Sequence, residues 1–343
     1  MESCHCVWVT LFWLESVTCR WGMNRYIRSA WIFPYLLSLH PFAIIRFRWR
    51  EGLPMRYGAL EAGGTKMVLA VMDDHGNMME SVSIPTRAPD DTMPEMISFF
   101  SGKGISSLGI GSFGPLDLNP ASPAYGSVTE SPKLSWRHFP LRQAFADALQ
   151  VPVSIDTDVN AAALAEFSLG AARGKQSCLY VTVGTGIGGG LIIHGKPVHG
   201  LMHPEIGHIL LPPDPEDPSP DGFCPYHRHC LEGLASGPAV EKRWGIPGRD
   251  LPAGHPAWHL EAHYLAQLCV NAIMAFSPEM IILGGGIMQQ KHLFPLIRKE
   301  TARLLNGYIP ESLFGDGMNA YIVEPGLGTA SGITGAYLLS RVS

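Results

Sequence analysis

Tyr57-Gly-Ala-Leu-Glu61-Ala-Gly-Gly-Thr-Lys66-Met-Val-Leu-Ala-Val-Met72 reads as two short apolar strands joined by a glycine turn, and Asp73-Asp74-His75-Gly76-Asn77 closes the unit with a second turn. About 120 positions later the same figure returns. An apolar strand over 178–183 meets Gly184-Thr-Gly-Ile-Gly-Gly-Gly190, and a further strand runs through Ile193 to a hairpin at Gly195-Lys196. Two such units predict two related α/β halves facing each other across a cleft.

Between and after these units the patterning alternates strands with helices. Strands are expected over 81–85, 107–113, 151–155, 280–283 and 321–323. Helices are expected over 94–100, around Leu141, Phe145 and Leu149, from Asn160 to near Gly170, over 257–276 and 293–305, and in the small-residue stretch 329–339. Five prolines within 211–220 mark an irregular surface loop. A third glycine turn, Gly284-Gly285-Gly286, follows the strand near 280.

The 343 residues carry 25 basic and 30 acidic side chains, a net charge of -5, which leaves no electrostatic footprint for nucleic acid or an anionic membrane surface. That average covers two unlike pieces. Residues 1–54 hold five of the eight Trp, six Arg and three Glu with no Lys or Asp, a local charge of +3 against -8 for the rest. The apolar stretch 31–45 is interrupted by Pro34, His40 and Pro41 and falls short of the roughly 20 residues a spanning helix needs. No secretory address is legible, and the expectation is an extension outside the fold, translated from upstream of a start at Met55. An interaction arm or an organelle presequence is the alternative. Of seven Cys, three (Cys4, Cys6, Cys19) lie in this extension, and the other four are not spaced as a disulfide framework. A reducing cytoplasm fits that usage, with Cys178 and Cys269 read as core residues.

Three glycine turns after strands, with Thr65, Lys66 and Thr185 beside them, bring backbone N–H groups and further donors close to an anion, as a nucleotide phosphate cradle requires. None fits the Walker or Rossmann pattern. Asp156-Thr-Asp-Val-Asn160 stands between a strand and a helix, where Asp158 can serve as a general base and where Thr157 or Asp158 can equally cap the helix. Cys224-x2-His227-x2-Cys230, with His208 upstream, offers four ligands of the kind tetrahedral Zn²⁺ takes, His229 competing for one position. A site filled by four protein ligands is structural. Glu205 and Glu232 flank the cluster, and His259 and His263 share a helix face as surface histidines.

Taken together, Glu61-Ala-Gly-Gly-Thr-Lys66, Ser112-Phe-Gly-Pro115, Asp156-Thr-Asp-Val-Asn160, Gly184-Thr-Gly-Ile-Gly-Gly-Gly190, Glu205-Ile-Gly-His208 and Cys224-Pro-Tyr-His-Arg-His-Cys-Leu-Glu232 resemble the ROK family of sugar kinases, most of all its bacterial zinc-containing fructokinases. The resemblance runs from Met55 to about Leu339 and has no counterpart for the extension. It implies an actin-like ATPase (ribonuclease H-like) fold: a smaller α/β domain over 55–172, joined by the C-terminal helix 329–343, and a larger one over 173–328 bearing a zinc loop over 208–230. It implies that Gly63, Gly64, Thr65 and Lys66 form the first phosphate turn, that Gly184, Thr185, Gly186, Gly188 and Gly189 form the second, and that Gly284, Gly285 and Gly286 lie on the adenosine side. Asp158 matches the catalytic base, and Gly114, Pro115, Thr157, Glu205, His208 and Glu232 match positions near the sugar, with His208, Cys224, His227 and Cys230 holding Zn²⁺. ATP, Mg²⁺, a hexose substrate and a cytoplasmic homodimer follow from the same likeness. Glu61 replaces the Asp many members carry, which lengthens the reach to Mg²⁺, and Thr157 replaces the Asn of glucose-specific members, which favours a ketohexose. The expected reaction is phosphorylation of D-fructose, with glucose or mannose as alternatives. A sugar-sensing repressor of the same family would need a helix-turn-helix segment that 1–54 does not present.

Overall fold

A computed structural model describes residues 55–342, so the expectations for residues 1–54 lie outside the described residues. One sheet contains β1 (Arg56–Ala62), β2 (Lys66–Met72), β3 (Met78–Pro85), β4 (Ile105–Ser112) and β5 (Val153–Thr157) in the order β3-β2-β1-β4-β5. The other contains β6 (Ser177–Val183), β7 (Ile187–Ile193), β8 (Lys196–Pro197), β9 (Ile281–Gly284) and β10 (Ile322–Val323) in the order β10-β9-β6-β7-β8. Reversing one order gives the other. In each sheet an antiparallel meander of three strands continues, on the far side of its first strand, into two parallel strands. The repeat in the sequence is one topology used twice.

Helices, of which α4 (Leu231–Ala235) and α8 (Met318–Tyr321) are the shortest, cover both faces of the inner strands, whose side chains are apolar in both directions, whereas β3 at the edge is largely exposed. Tyr57, Ala59, Ala70 and Met72 turn to α9 (Ser331–Ser340), whereas Leu60, Leu69, Leu108 and Ile110 meet α1 (Pro89–Phe100) and α2 (Leu141–Leu149) through Met96, Phe100 and Phe145. In the second sheet Leu179, Val181 and Val183 pack on α6 (Ala257–Phe276) and α7 (Leu293–Leu305), while Cys178, Tyr180 and Ile282 pack on α3 (Asp158–Ser168). Cys178 and Cys269 are both buried, as the sequence predicts. Helix α1 begins five residues ahead of the expected 94: Pro89 opens it, and Asp90 and Asp91 sit on its positive end.

Helices α3 and α9 pack against each other between the sheets without the usual layer of side chains. A Cβ on Gly335 of α9 would stand 1.9 Å from the Ala161 carbonyl oxygen, and one on Gly190 of β7 would stand 2.3 Å from that of Val159. Only hydrogen fits at either place. At the end of α3 the buried Glu166 carboxylate accepts from the amides of Ala171 (2.8 Å), Gly326 (2.8 Å) and Leu327 (3.0 Å) and from the Ser331 hydroxyl (2.6 Å). These bonds fasten the approach to α9 onto α3. Gly335→Ala is expected to cost about 1–3 kcal/mol or more through overpacking, seen as a lower midpoint in urea unfolding; an unchanged midpoint would contradict the contact.

Candidate active site

β5 delivers its last residue, Thr157, to the start of α3, and the Thr157 hydroxyl accepts the Asn160 amide at 3.1 Å. The cap role therefore goes to Thr157. Asp158 is the first residue of the helix, with Oδ1 accepting the Val159 amide at 2.9 Å. Burial pushes its carboxyl up to about 7, and the Glu61 and Glu205 carboxylates add to the rise. Burial also lifts Glu205 to about 7, with Glu232 reinforcing it. Glu61 is raised by burial too, opposed by the Lys66 ammonium and by the Ile333 amide, which hydrogen-bonds to it. Glu61, Asp158, Glu205 and Glu232 thus form an acidic row that spans both halves of the chain.

The glycine turns border this row. The Gly63 amide donates to the Lys66 carbonyl (3.0 Å), and Thr86 holds the turn through its hydroxyl on the Gly63 carbonyl (2.8 Å). In the second half, the run expected as one turn from Gly184 to Gly190 divides. Gly184, Thr185 and Gly186 make the turn, whereas Gly188, Gly189 and Gly190 continue as β7, where bare backbone lets Val159 and Ile206 approach. The second and third turns meet: a Cβ on Gly184 would stand 3.8 Å from the Gly286 amide nitrogen. α5 (Gly237–Trp244) begins beside them, its Gly237 amide donating to the Gly184 carbonyl at 2.7 Å.

His208, Cys224, His227 and Cys230 converge, with one ligand atom from each lying within 4.8 Å of all the others. The Cys224 sulfur stands 3.9 Å from His208 Nδ1 and 3.8 Å from His227 Nδ1, and the Cys230 sulfur 3.8 Å from His208 Nδ1. Tetrahedral zinc bonds of about 2.3 Å to sulfur and about 2.0–2.1 Å to nitrogen separate such ligands by about 3.6 Å. The four residues fit that ion. His229 does not take part, because its Nδ1 turns to the Pro220 carbonyl at 2.7 Å. His208 shows its other nitrogen, Nε2, to Glu232 at 3.9 Å, and Glu232 in turn accepts the Ile187 amide at 2.9 Å, next to the second turn.

Several participants carry no sequence signal. His203, buried, accepts the Leu116 amide on Nε2 at 3.0 Å and turns Nδ1 toward Glu205 at 3.4 Å, bringing the Gly114-Pro115 loop to the glutamate. His199 pairs with the buried Asp156 at 3.1 Å. The proline-rich segment is irregular as expected, yet Asp217 within it is buried against Arg243 at 2.8 Å, with side chains 0% and 1% exposed. His263, expected at the surface, is half-buried and paired with Glu300 at 2.8 Å, while His259 is exposed.

The ROK family model matches residues 57–342, and the chain belongs to the ROK family. Its repeated strand order is the actin-like ATPase fold. It is 43% identical over 291 residues to a fructokinase of Pediococcus pentosaceus, covering 84% of this chain and 99% of that protein. It is 42% identical over 292 residues to a fructokinase of Zymomonas mobilis, covering 83% and 96%. Among solved structures, a ROK family glucokinase from Streptomyces griseus in complex with glucose and AMPPNP aligns with a TM-score of 0.69 and 25% identity, covering 84% of this chain and all (100%) of that one.

Proposed function

We propose that the protein transfers the terminal phosphoryl group of ATP to the 6-hydroxyl of D-fructose, giving fructose 6-phosphate and ADP. The observation that carries the reading is Asp158: a half-buried carboxylate at a helix start, raised to about 7, with the Glu61 and Glu205 carboxylates adding to the rise. The choice of sugar draws support from the fructokinase relatives. In the reaction the hydroxyl oxygen forms a bond to the γ-phosphorus, the bond from that phosphorus to the bridging oxygen of ADP breaks, and Asp158 accepts the hydroxyl proton. Gly63, Gly64, Thr65 and Lys66 on one side, and Gly184, Thr185 and Gly186 with Gly284, Gly285 and Gly286 on the other, receive the nucleotide. Gly114, Pro115, Thr157, Glu205, His208 and Glu232 surround the sugar.

Two bodies, 55–172 with the helix from 329 and 173–328, close on the substrates and exclude water. Mg²⁺, when bound with ATP, offsets phosphate charge, and the acidic row offers oxygen ligands of the type it takes. Zn²⁺, held by His208, Cys224, His227 and Cys230, would tie the loop to the helix after Cys230 and orient His208 toward Glu232. A cytoplasmic homodimer completes the reading. Among the described residues no helix is long and apolar enough to cross a membrane.

A base must be ionised to accept a proton. With Asp158 near 7, kcat/KM for fructose is expected to fall about tenfold per pH unit below that value. Asp158→Asn should fold normally and lose about 10²–10⁴-fold in kcat together with this acid limb; near wild-type turnover would refute the assignment. Across a panel of fructose, glucose and mannose, kcat/KM should be highest for fructose, and equal or faster use of glucose would overturn the sugar. Metal analysis of protein purified without chelator should find about one zinc per chain, lost in Cys224→Ser; a substantially lower content in the wild type counts against the site.

A further inference from the structure

The acidic row poses an electrostatic problem. A nucleotide triphosphate arrives with several negative charges beside Glu61, Asp158, Glu205 and Glu232, and each uncompensated pair repels in a site that water leaves on closure. Lys66, in the first turn, already acts on Glu61. Lys133 is a second cation at this place, outside every motif that the resemblance covers. Its Cε and Nζ stand 3.3 and 4.0 Å from the position a Cβ on Gly64 would take, so the side chain lies across the first glycine turn. No carboxylate among the described residues forms an ion pair with it.

The segment that presents this ammonium is fixed. Trp136, three residues on, is 1% exposed, sits edge-on to Phe113 and Phe139 with ring centres 5.7 and 5.3 Å away, and donates its indole N–H to the Arg87 carbonyl at 2.8 Å. The Lys133 amide donates to the Ser131 hydroxyl at 3.2 Å, and the Arg137 guanidinium to the Ser131 carbonyl at 2.7 Å. Phe113, whose amide donates to the Ala62 carbonyl just before the turn (2.8 Å), places its ring 5.8 Å from Lys133 Nζ. Lys133 and the turn are therefore mounted on the same pair of strand ends. A lysine that merely covered surface would have no need of such anchoring, and its long side chain would lose entropy for nothing.

The position also selects the phosphate. The second and third turns adjoin each other in the other half, which leaves the first turn, with Glu61 and Asp158 beside it, for the end of the nucleotide that reacts. We infer that Lys133 contacts the terminal phosphoryl group of the nucleotide and stabilises its charge during transfer. The inference rests on the kinase reading above, though not on which hexose is used.

The test uses the full chain as wild type, Lys133→Met and Lys133→Arg, with calorimetric binding of ADP and of AMPPNP and steady-state kinetics with fructose. Lys133→Met is expected to weaken AMPPNP about tenfold or more while ADP stays within about twofold, because one charge-assisted contact to the terminal group is lost. Its kcat should fall about 10²-fold with the KM for fructose little changed, and Lys133→Arg should recover part of both. Equal weakening of both nucleotides, or no change in either with kcat retained, overturns the role. The binding arms answer whatever sugar is used, so wild-type protein that binds AMPPNP yet ignores fructose would fail the choice of sugar alone. Wild-type protein that binds neither nucleotide would remove the kinase reading, and Lys133's role with it.

Discussion

Helix α3 is held by backbone contact on two sides, against Gly190 of β7 and Gly335 of α9, and neither contact leaves space for a methyl group. Close-packed interiors transmit displacement instead of absorbing it, so a helix gripped in this way carries its first residue to a fixed place relative to both sheets. That residue is Asp158. The run Ala161-Ala162-Ala163 contributes small side chains to the grip, and Glu166 binds the far end of the helix to the segment entering α9. The reactive carboxylate is thus positioned by packing first and by hydrogen bonds second.

Charge then follows from geometry. Burial raises both Asp158 and Glu205 to about 7, and the Glu205 charge adds to the rise at Asp158. The row is also connected to the cysteine and histidine cluster. Glu232 faces His208 Nε2 at 3.9 Å and holds the Ile187 amide at 2.9 Å, so one carboxylate touches the cluster and the strand leaving the second glycine turn. A carboxylate behind a ligating imidazole fixes its ring orientation, and here the same carboxylate also fixes a phosphate-side backbone.

Much of this is legible in the chain itself. Apolar runs broken by glycine locate β1, β2, β6 and β7, and the bounds of α6 and α7 coincide with their periodic stretches. The four-residue cluster was visible because cysteine and histidine are rare and their spacing is short. Sequence could not separate Gly186 from Gly188, since a turn glycine and a packing glycine are the same residue, and only the approach of Val159 and Ile206 tells them apart. His203, Lys133 and the buried Asp217–Arg243 pair escaped for a different reason: each acts through a partner distant in the chain and carries no local pattern. A proline-rich acidic segment reads as surface until its one buried carboxylate finds an arginine.

The placement of α9 has a bearing on how the protein is made. Tyr337 reaches the Asp74 carbonyl across 263 positions, and Ser107 the Ser340 carbonyl across 233. Tyr57, Ala59, Ala70 and Met72 emerge from the ribosome early, but the helix that covers them is synthesised after nearly all of the second half. At about 5–20 residues per second, that sheet face waits on the order of ten seconds or more for its cover. The first sheet is begun first and finished last, and its unfinished apolar face is the natural place for a chaperone to bind, or for two nascent chains to stick.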